Sequence, residues 1–208
     1  MGAIKSDLPK LKQPERRNRS QKRLIQAALS IAADQGVQAV TMEAIGKRAG
    51  YSRGLASQRF GSKAGLIRAV ISHLHDERAA EFEARQLDEC EGLDALLLFV
   101  DMHLSGLMAS PEASAYFMFL ASGIADRSAI RAMFAEAHEM SKLQLMEIVE
   151  RGQRDGSIKA GIDTEAAALM VGSLVIGVSM QFLTDPGLNL KRVLAETKSV
   201  LAASFKSA

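Results

Sequence analysis

The sequence has little cysteine: Cys90 is the only one among 208 residues. A single cysteine excludes a framework of intramolecular disulfide bonds and suits the reducing cytoplasm. The opening stretch, MGAIKSDLPKLKQPERRNRSQKR, is polar almost throughout and lacks the charged and then apolar segments of a secretion signal. We therefore expect a cytoplasmic protein in which Cys90 is structural or incidental.

Motifs of catalysis and metal binding are also missing. The chain has no glycine-rich phosphate loop of the expected form and no nucleophile elbow. The cluster His73-x-His75-Asp76 contains metal-ligating residue types. However, residues two apart on a helix point to different faces, whereas a helical zinc pair needs a separation of four. The sequence therefore predicts no enzyme, no cofactor and no metal site.

Strand patterns are absent from the long segments of the chain. Apolar residues recur at spacings of three and four, and alternation of β-branched residues is sparse, so we expect an all-α protein. The predicted helices lie near 19–35, 42–49, 52–59, 63–87, 92–108, 112–124, 127–153, 163–183 and 189–205.

Charge is distributed very unevenly along the chain. Residues 1–70 hold 14 Lys or Arg against 4 Asp or Glu, whereas residues 71–208 hold 12 against 20. The overall formal charge of +2 hides this difference. A basic N-terminal third on an acidic remainder favours a part that binds a polyanion and a part that stays away from it, because phosphate neutralisation dominates sequence-independent affinity.

Two short helical patterns meet at a glycine within the basic third. Thr41 is a good N-cap, and Met42, Ile45 and Ala49 form an apolar stripe about two turns long. Gly50 follows, where the chain must turn sharply, and Ser52 offers an oxygen to cap the next helix. The outline is a helix-turn-helix.

The second helix of this pair carries side chains suited to DNA. Small, amide and guanidinium groups are expected on its exposed face: Arg53, Gly54, Ser57, Gln58 and Arg59. Arginine can pair with guanine and glutamine with adenine, while a small residue lets the backbone approach the groove. Lys63 lies in the first turn of the following helix, where we expect it to hold phosphate. Thr41 and Ser52 complete the predicted DNA-binding set.

The segment resembles the N-terminal pattern of TetR-type transcriptional regulators, T-x-x-x-I-A-x-x-A-G-V-S-x-G-x-L-Y-x-H-F-x-S-K-x-x-L. The matches are Thr41, Ile45, Ala49, Gly50, Ser52, Gly54, Phe60, Ser62, Lys63 and Leu66. Tyr51 stands where the family usually has valine, Ser57 where it has a phosphate-contacting tyrosine, and Arg59 where it often has histidine. The resemblance implies a C-terminal part that dimerises and senses a ligand.

The resemblance and the charge pattern divide the chain into three parts. Residues 1–18 form a flexible basic arm, which either reaches the DNA or remains a solvated tail. Residues 19–66 form the helix-turn-helix DNA-binding domain. Residues 67–208 form a helical body for ligand binding and dimerisation.

The last two predicted helices suit an interface between two copies of the chain. The segment 166–183 is apolar, yet serine and glutamine interrupt it and it barely reaches the length of a membrane span, so we expect a buried interface and no membrane. Small residues would let a helix approach, and the final helix offers a matching stripe. The predicted interface residues are Gly172, Ser173, Gly177, Leu190, Val193, Leu194 and Leu201.

Methionine and aromatic residues are concentrated between the basic third and these helices. Most should be core, but methionine adapts to varied apolar partners, so some are expected to line a pocket for an apolar or amphipathic effector. The predicted pocket residues are Phe99, His103, Tyr116, Phe119, Met133, His138 and Met170.

These patterns together predict a homodimeric regulator that binds a palindromic double-stranded DNA operator and is released by a small-molecule effector. A repressor is favoured over an activator. A short helix pair with a glycine turn also occurs in helical proteins that do not touch nucleic acid. The alternative is therefore a helical binding or scaffold protein without DNA function.

Overall fold

The computed structural model describes residues 13–109, 111–125 and 129–207. Within these residues the fold is all-α, as predicted, and contains nine α-helices and two short 3-10 turns. The helices are α1 (Gln13–Gln35), α2 (Met42–Ala49), α3 (Arg53–Phe60), α4 (Lys63–Ala84), α5 (Gly92–Ala109), α6 (Pro111–Ala125), α7 (Ala129–Asp155), α8 (Thr164–Thr184) and α9 (Leu190–Phe205).

The first helix departs most from its expected bounds. It begins at Gln13, six residues before the predicted start at Arg19. Pro14 does not prevent this, because the first turn of a helix has no intrahelical use for the missing N–H. Residues 13–18 of the predicted arm are thus helical, and residues 1–12 lie outside the described part of the chain.

Helices α1 to α3 and the start of α4 form a small head around one apolar centre. Leu24 and Ala28 of α1, Ile45 of α2, Ala56 of α3 and Leu66 of α4 are fully enclosed. The short helices begin at side-chain caps, which bond the backbone N–H groups that a first turn leaves unpaired. Consequently two helices of only eight residues hold defined positions.

Helix α5 is the centre of the larger helical body. It packs against α6, α7, α8 and α9, and Val100, Met102 and Leu104 are fully enclosed. Where α5 begins, a Cβ on Gly92 would overlap the backbone of Gly152 in α7. The two helices can cross this closely because Gly92 lacks a side chain.

The start of α5 is capped from a distant part of the chain. Asp155 accepts a hydrogen bond from the Gly92 N–H at 2.8 Å, and the Ser157 hydroxyl accepts one from the Leu93 N–H at 3.0 Å. These contacts join the α7–α8 connection to the helix at the centre of the body. Hydrogen bonds from Ser157 and Gly92 also lower the pKa of Asp155, because they stabilise the carboxylate.

Two helices, α5 and α8, are long and apolar enough to cross a membrane by length and composition alone. Core helices of globular proteins meet the same criterion. The position of α5 at the centre of the body accounts for its apolar character. Helix α8 is different, since it leaves Leu169 and Met170 on the surface with exposed fractions of 62% and 50%.

Candidate nucleic-acid interface and internal cavity

The turn between α2 and α3 has the geometry of a helix-turn-helix. Thr41 caps α2 by accepting a hydrogen bond from the Ala44 N–H at 3.1 Å, and Ser52 caps α3 through the Leu55 N–H at 3.2 Å. Between the helices Gly50 adopts φ 77° and ψ 31°, a left-handed conformation that strongly favours glycine. The local sequence therefore fixes the angle at which α3 leaves α2.

Helix α3 presents polar groups on the outer side of the head. Arg53, Gly54 and Gln58 are exposed, whereas Ser57 is half-buried. Arg59 is also half-buried, and its enclosed Nε atom has no hydrogen-bond partner in the described part of the chain. The outer face thus offers one guanidinium and one amide at the surface, with a second guanidinium closer to the core.

Lys63 makes a contact that the sequence pattern did not predict. Its Nζ atom donates to the carbonyl oxygen of Val37 at 3.1 Å, which ties the start of α4 to the connection between α1 and α2. The side chain remains exposed. Lys63 therefore has a structural contact within the head in addition to the phosphate role expected from its position.

Two contacts lock α1 to the helix pair. The Arg48 Nη1 atom lies 2.6 Å from both the Asp34 carboxylate and the Ser30 hydroxyl. The Arg23 guanidinium lies over the Tyr51 ring, 5.4 Å from its centroid, in a cation–π contact. The tyrosine that replaces the usual valine thus has a partner on α1.

A cavity of about 710 Å³ lies within the body. Six helices contribute to its wall, including α1 of the head through Gln26 and Leu29. The volume falls in the range of small-molecule sites, and an apolar wall with a few polar groups is typical of them. Its apolar wall includes Leu74, Phe82, Phe99, Leu107, Phe117, Leu145, Ala168, Val175 and Ile176.

One part of the wall is an aromatic stack between α4 and α5. The Phe82 and Phe99 rings lie 5.5 Å apart, and the His103 ring lies 4.2 Å from Phe99. The His103 Nδ1 atom is 2.8 Å from the Phe99 carbonyl oxygen, so Nδ1 carries the proton and donates. Burial, helped by the nearby Arg78, lowers the pKa of His103 to about 3. This imidazole is neutral, and its Nε2 atom can accept a hydrogen bond.

Two further histidines flank Tyr116 on the wall. The rings of His75 and His138 each lie 6.3 Å from the Tyr116 ring. Burial lowers the pKa of both histidines and raises the pKa of Tyr116, so all three side chains are neutral near pH 7. The enclosed Nε2 atom of His138 has no partner among the described residues.

Arg78 provides the charge closest to the aromatic stack. Its Nη1 atom donates to the Met102 carbonyl oxygen at 2.9 Å and to Glu81 Oε2 at 3.1 Å. The side chain is 27% exposed, and burial lowers its pKa. The wall therefore combines neutral imidazoles with one largely enclosed guanidinium.

Family comparisons agree with both parts of this geometry. Residues 24–70 match the model of bacterial regulatory proteins of the tetR family, and residues 92–206 match the C-terminal model of BetI-type transcriptional repressors. The second match alone spans more than half of the chain.

The chain belongs to the TetR family of transcriptional regulators. A curated relative, the HTH-type transcriptional regulator BetI of Rhizobium meliloti, is 43% identical over 67 residues, which is 30% of this chain. The matched part spans only 33% of that relative's length. The family is one of regulators rather than enzymes, which agrees with the absence of catalytic motifs in the sequence.

Solved structures share the fold at low sequence identity. A TetR regulator from Haloarcula marismortui has a TM-score of 0.78 at 16% identity, covering 91% of this chain and all of that one. The transcriptional regulator FadR from Bacillus subtilis, in complex with stearoyl-CoA, has a TM-score of 0.74 at 19% identity. The match covers 87% of this chain and 97% of that one. A regulator from Saccharomonospora viridis, in complex with choline, has a TM-score of 0.75 at 18% identity. The match covers 92% of this chain and all of that one.

The cavity of this TetR-family regulator includes some of the predicted pocket residues and not others. Phe99, His103, Tyr116 and His138 line it. Phe119 and Met133 do not, because they pack in the core with exposed fractions of 1% and 8%, and Met170 lies on the surface. Residue type alone could not separate core, wall and surface, since apolar side chains serve in all three.

Sequence reasoning missed most of the wall that α4 provides. His75, Arg78 and Phe82 line the cavity and are spaced by three and four, so they form one stripe of the helix. That spacing was a usable signal. His73, by contrast, faces α1, where its Nε2 atom lies 3.3 Å from the Gln26 amide. Within the described residues no group of three metal-ligating side chains comes together.

The predicted dimer residues also separate into distinct groups. Gly177 is exposed and Val193 half-buried on the outer side, whereas Gly172 and Ser173 line the cavity. Leu190, Leu194 and Leu201 are buried within one chain, with exposed fractions of 3%, 9% and 2%. Helix α9 packs against α5, so these leucines offer little surface to a second copy.

Proposed function

We propose that this regulator is a cytoplasmic homodimer that represses transcription by binding a palindromic operator and releases it when a small effector enters the cavity. The observation that carries the proposal is the exposed face of α3, with Arg53 and Gln58 at the surface of a capped helix-turn-helix. Arginine and glutamine are the side chains that pair bidentately with guanine and adenine in the major groove. Gly54 between them leaves the helix slim enough for close approach.

Phosphate contacts would come from groups around α3. Ser57, Arg59 and Lys63 lie beside the exposed face, and the caps Thr41 and Ser52 keep hydroxyl groups at the surface. Such contacts set register and affinity without reading sequence. Lys63 would hold both phosphate and the Val37 carbonyl, so its loss should affect head stability as well as binding.

Dimerisation is supported by the apolar surface of α8 and α9. Met170 and Val200 are 50% and 60% exposed, and a groove between the two helices is lined by Leu174 and Val193 among others. A Cβ on Gly177 would meet nothing within 4 Å, so another helix can approach there. Two copies joined through this surface would place two α3 helices on one operator, where half-sites lie about 34–36 Å apart.

Effector control is supported by the contact between cavity and head. Gln26 and Leu29 of α1 lie in the cavity wall, and the same helix belongs to the head through Leu24 and through the Arg48 contact with Asp34. An effector that binds better to one arrangement of α1 shifts the population of heads that fit the operator. Two proteins of similar fold were solved in complex with stearoyl-CoA and with choline, which supports a small-molecule effector for this chain.

Operator selection from random duplex DNA, repeated at two salt concentrations, tests the proposal. We expect enrichment of a palindrome and a loss of affinity with salt that reflects phosphate contacts. Arg53→Ala should reduce affinity by roughly tenfold or more and relax the preference at one position of each half-site. Arg131→Ala, an exposed arginine of the body, is the charge-matched control and should change neither.

A scaffold protein without DNA function gives the opposite result. Such a protein would enrich no sequence, and its weak binding to DNA would disappear at the higher salt concentration. Equal operator binding by the Arg53→Ala variant and the unmodified chain would remove α3 from the proposed interface, even if a palindrome were found.

A further inference from the structure

The ionic groups of the cavity wall differ in how they are already paired. Asp76 and Glu77 are exposed at its outer side, and Glu77 lies 3.3 Å from His73. Glu81 is shared by two arginines: Oε2 lies 3.1 Å from Arg78 and Oε1 lies 3.7 Å from Arg85. The Glu81 carboxylate is thus already paired within the protein.

Arg78 has hydrogen-bonding capacity left over. Both of its protein hydrogen bonds use Nη1, and no partner for Nη2 or Nε is found among the described residues. The Nη2 atom lies 3.5 Å from where a Cβ on Gly106 would be, and Gly106 is part of the cavity wall. The glycine leaves this edge of the guanidinium uncovered on the cavity side.

The groups around that edge favour an anion over a cation. His103 and His75 flank Arg78 on α5 and α4, and both are neutral imidazoles. A cationic ligand beside the guanidinium would be repelled by it, since Glu81 is already paired with arginine and the Asp76 and Glu77 carboxylates lie exposed at the outer side of the wall. A carboxylate would gain charge-assisted hydrogen bonds, which are stronger than neutral ones and suit the planar fork of arginine.

We propose that the effector of this regulator is a monocarboxylate with an apolar body, held by Arg78 at its carboxylate and by the Phe82, Phe99 and Leu145 part of the wall at its body. The role of this ligand as an effector rests on the proposed function, but the binding of a carboxylate at Arg78 does not depend on DNA binding. Among the apolar or amphipathic ligands that the sequence predicts, the proposal selects those with a negative charge.

Four probes that share one alkyl body test the sign of the site. Decanoate, decanol, decanamide and decyltrimethylammonium are titrated into the purified full chain below their aggregation concentrations, and binding is followed by calorimetry. We expect decanoate to bind about tenfold more tightly than decanol or decanamide, and decyltrimethylammonium to bind most weakly. Equal affinities, or tightest binding of the ammonium compound, would overturn the proposal, as would the absence of any binding by decanoate.

Three variants assign the effect to the guanidinium. Arg78→Gln should lower decanoate affinity about tenfold and leave decanol unchanged. Arg85→Gln is the matched control, because it lies on the same chain segment and contacts the same Glu81 from outside the cavity wall. Glu81→Gln should instead strengthen decanoate binding severalfold, since it removes the carboxylate that competes for Arg78.

The Glu81 variant keeps the test decisive if Arg78→Gln does not fold. Unchanged decanoate affinity in Glu81→Gln, or in a folded Arg78→Gln, would overturn the assignment. Operator binding is measured separately on the same preparations. Decanoate binding without operator release would contradict the effector role, while tight operator binding without decanoate binding would contradict only the carboxylate site.

Discussion

The head and the body of this regulator place their functional polar groups in opposite ways. In the head, α2, α3 and α4 begin at the hydroxyl caps Thr41, Ser52 and Ser62, and the groups proposed to meet DNA lie on the outside. In the body, long apolar helices surround a cavity whose wall includes the half-buried side chains of His75, His103 and Tyr116. In the head, local hydrogen bonds fix the position of an exposed surface. In the body, the packing of distant segments forms a cavity.

The difference determines which changes each part tolerates. The head contains two helices of only eight residues, so it depends on its turns and caps, because it has little apolar area to lose. The body has enclosed side chains on several helices around α5, so it depends on the closeness of helix crossings. Changes at single glycines and caps should therefore separate the two parts experimentally.

The largest effect is expected in the first turn of α4, where it packs against the end of α3. A Cβ on Gly65 would overlap the Phe60 carbonyl oxygen, so Gly65→Ala must displace backbone. We expect a loss of about 3 kcal/mol in the free energy of unfolding of the head and loss of operator binding. Hydrogen exchange should show faster exchange in α2 and α3 with the cavity region unchanged. Equal protection in the variant and the unmodified protein would contradict this separation.

The corresponding change in the body is Gly92→Ala at the crossing of α5 and α7. The added methyl would overlap the backbone of Gly152, and we expect a loss of about 2 kcal/mol in the free energy of unfolding. Chemical denaturation measures it. Gly161→Ala is the control, because a Cβ there meets nothing within 4 Å. A variant as stable as this control would mean that the crossing is looser than the structure indicates.

A smaller effect is expected at the distant cap of α5. Asp155→Ala removes acceptors for the Gly92 and Ser157 N–H groups and should cost about 1 kcal/mol near pH 7. Because the folded-state pKa of Asp155 is lowered, its contribution is fully present above the unfolded pKa of about 4 and is lost as pH falls through the folded value. Denaturation at several pH values should therefore show the two proteins converging in acid. A difference that does not shrink as the pH falls below about 4 would exclude this role.

The smallest effect is expected at Gly54 in α3, where one substitution should change the stability of the head and its operator affinity in opposite directions. Gly54→Ala places a methyl 3.7 Å from the Ser52 hydroxyl, an ordinary contact, so α3 should gain roughly 0.5–1 kcal/mol from the better helix former. The same methyl lies on the face proposed to approach DNA, and operator affinity should fall. Thermal unfolding measures the expected gain in stability, and operator titration measures the expected loss of affinity. A rise in both quantities would show that this face is not in close contact with DNA.

Sequence reasoning succeeded best where structure is local. The α2–α3 pair was predicted within one residue at each end, because Thr41, Gly50 and Ser52 are caps and turns that act on their neighbours. It failed at the start of α1, where polar residues follow Pro14 without an apolar stripe. Helical patterns are read from apolar spacing, and an exposed first turn has none.

Sites made by distant segments were predicted only in part. The predicted pocket residues Tyr116 and His138 line the cavity, whereas the prediction omits Arg78, which also lines it, and includes Phe119, which is core. Leu190 was assigned to a dimer interface and is covered by the chain itself. An apolar stripe predicts that a face will be buried and does not say by what.

The sequence by itself determined the helical class, the helix-turn-helix and its family, because periodicity, caps and turn residues act over a few positions. Tertiary structure decided which apolar faces meet within one chain, that α1 reaches the cavity, and that Arg78 lies uncovered beside Gly106. These outcomes depend on close packing between segments far apart in sequence. A local sequence pattern cannot predict them, because each contact depends on residues from two segments that are far apart in sequence.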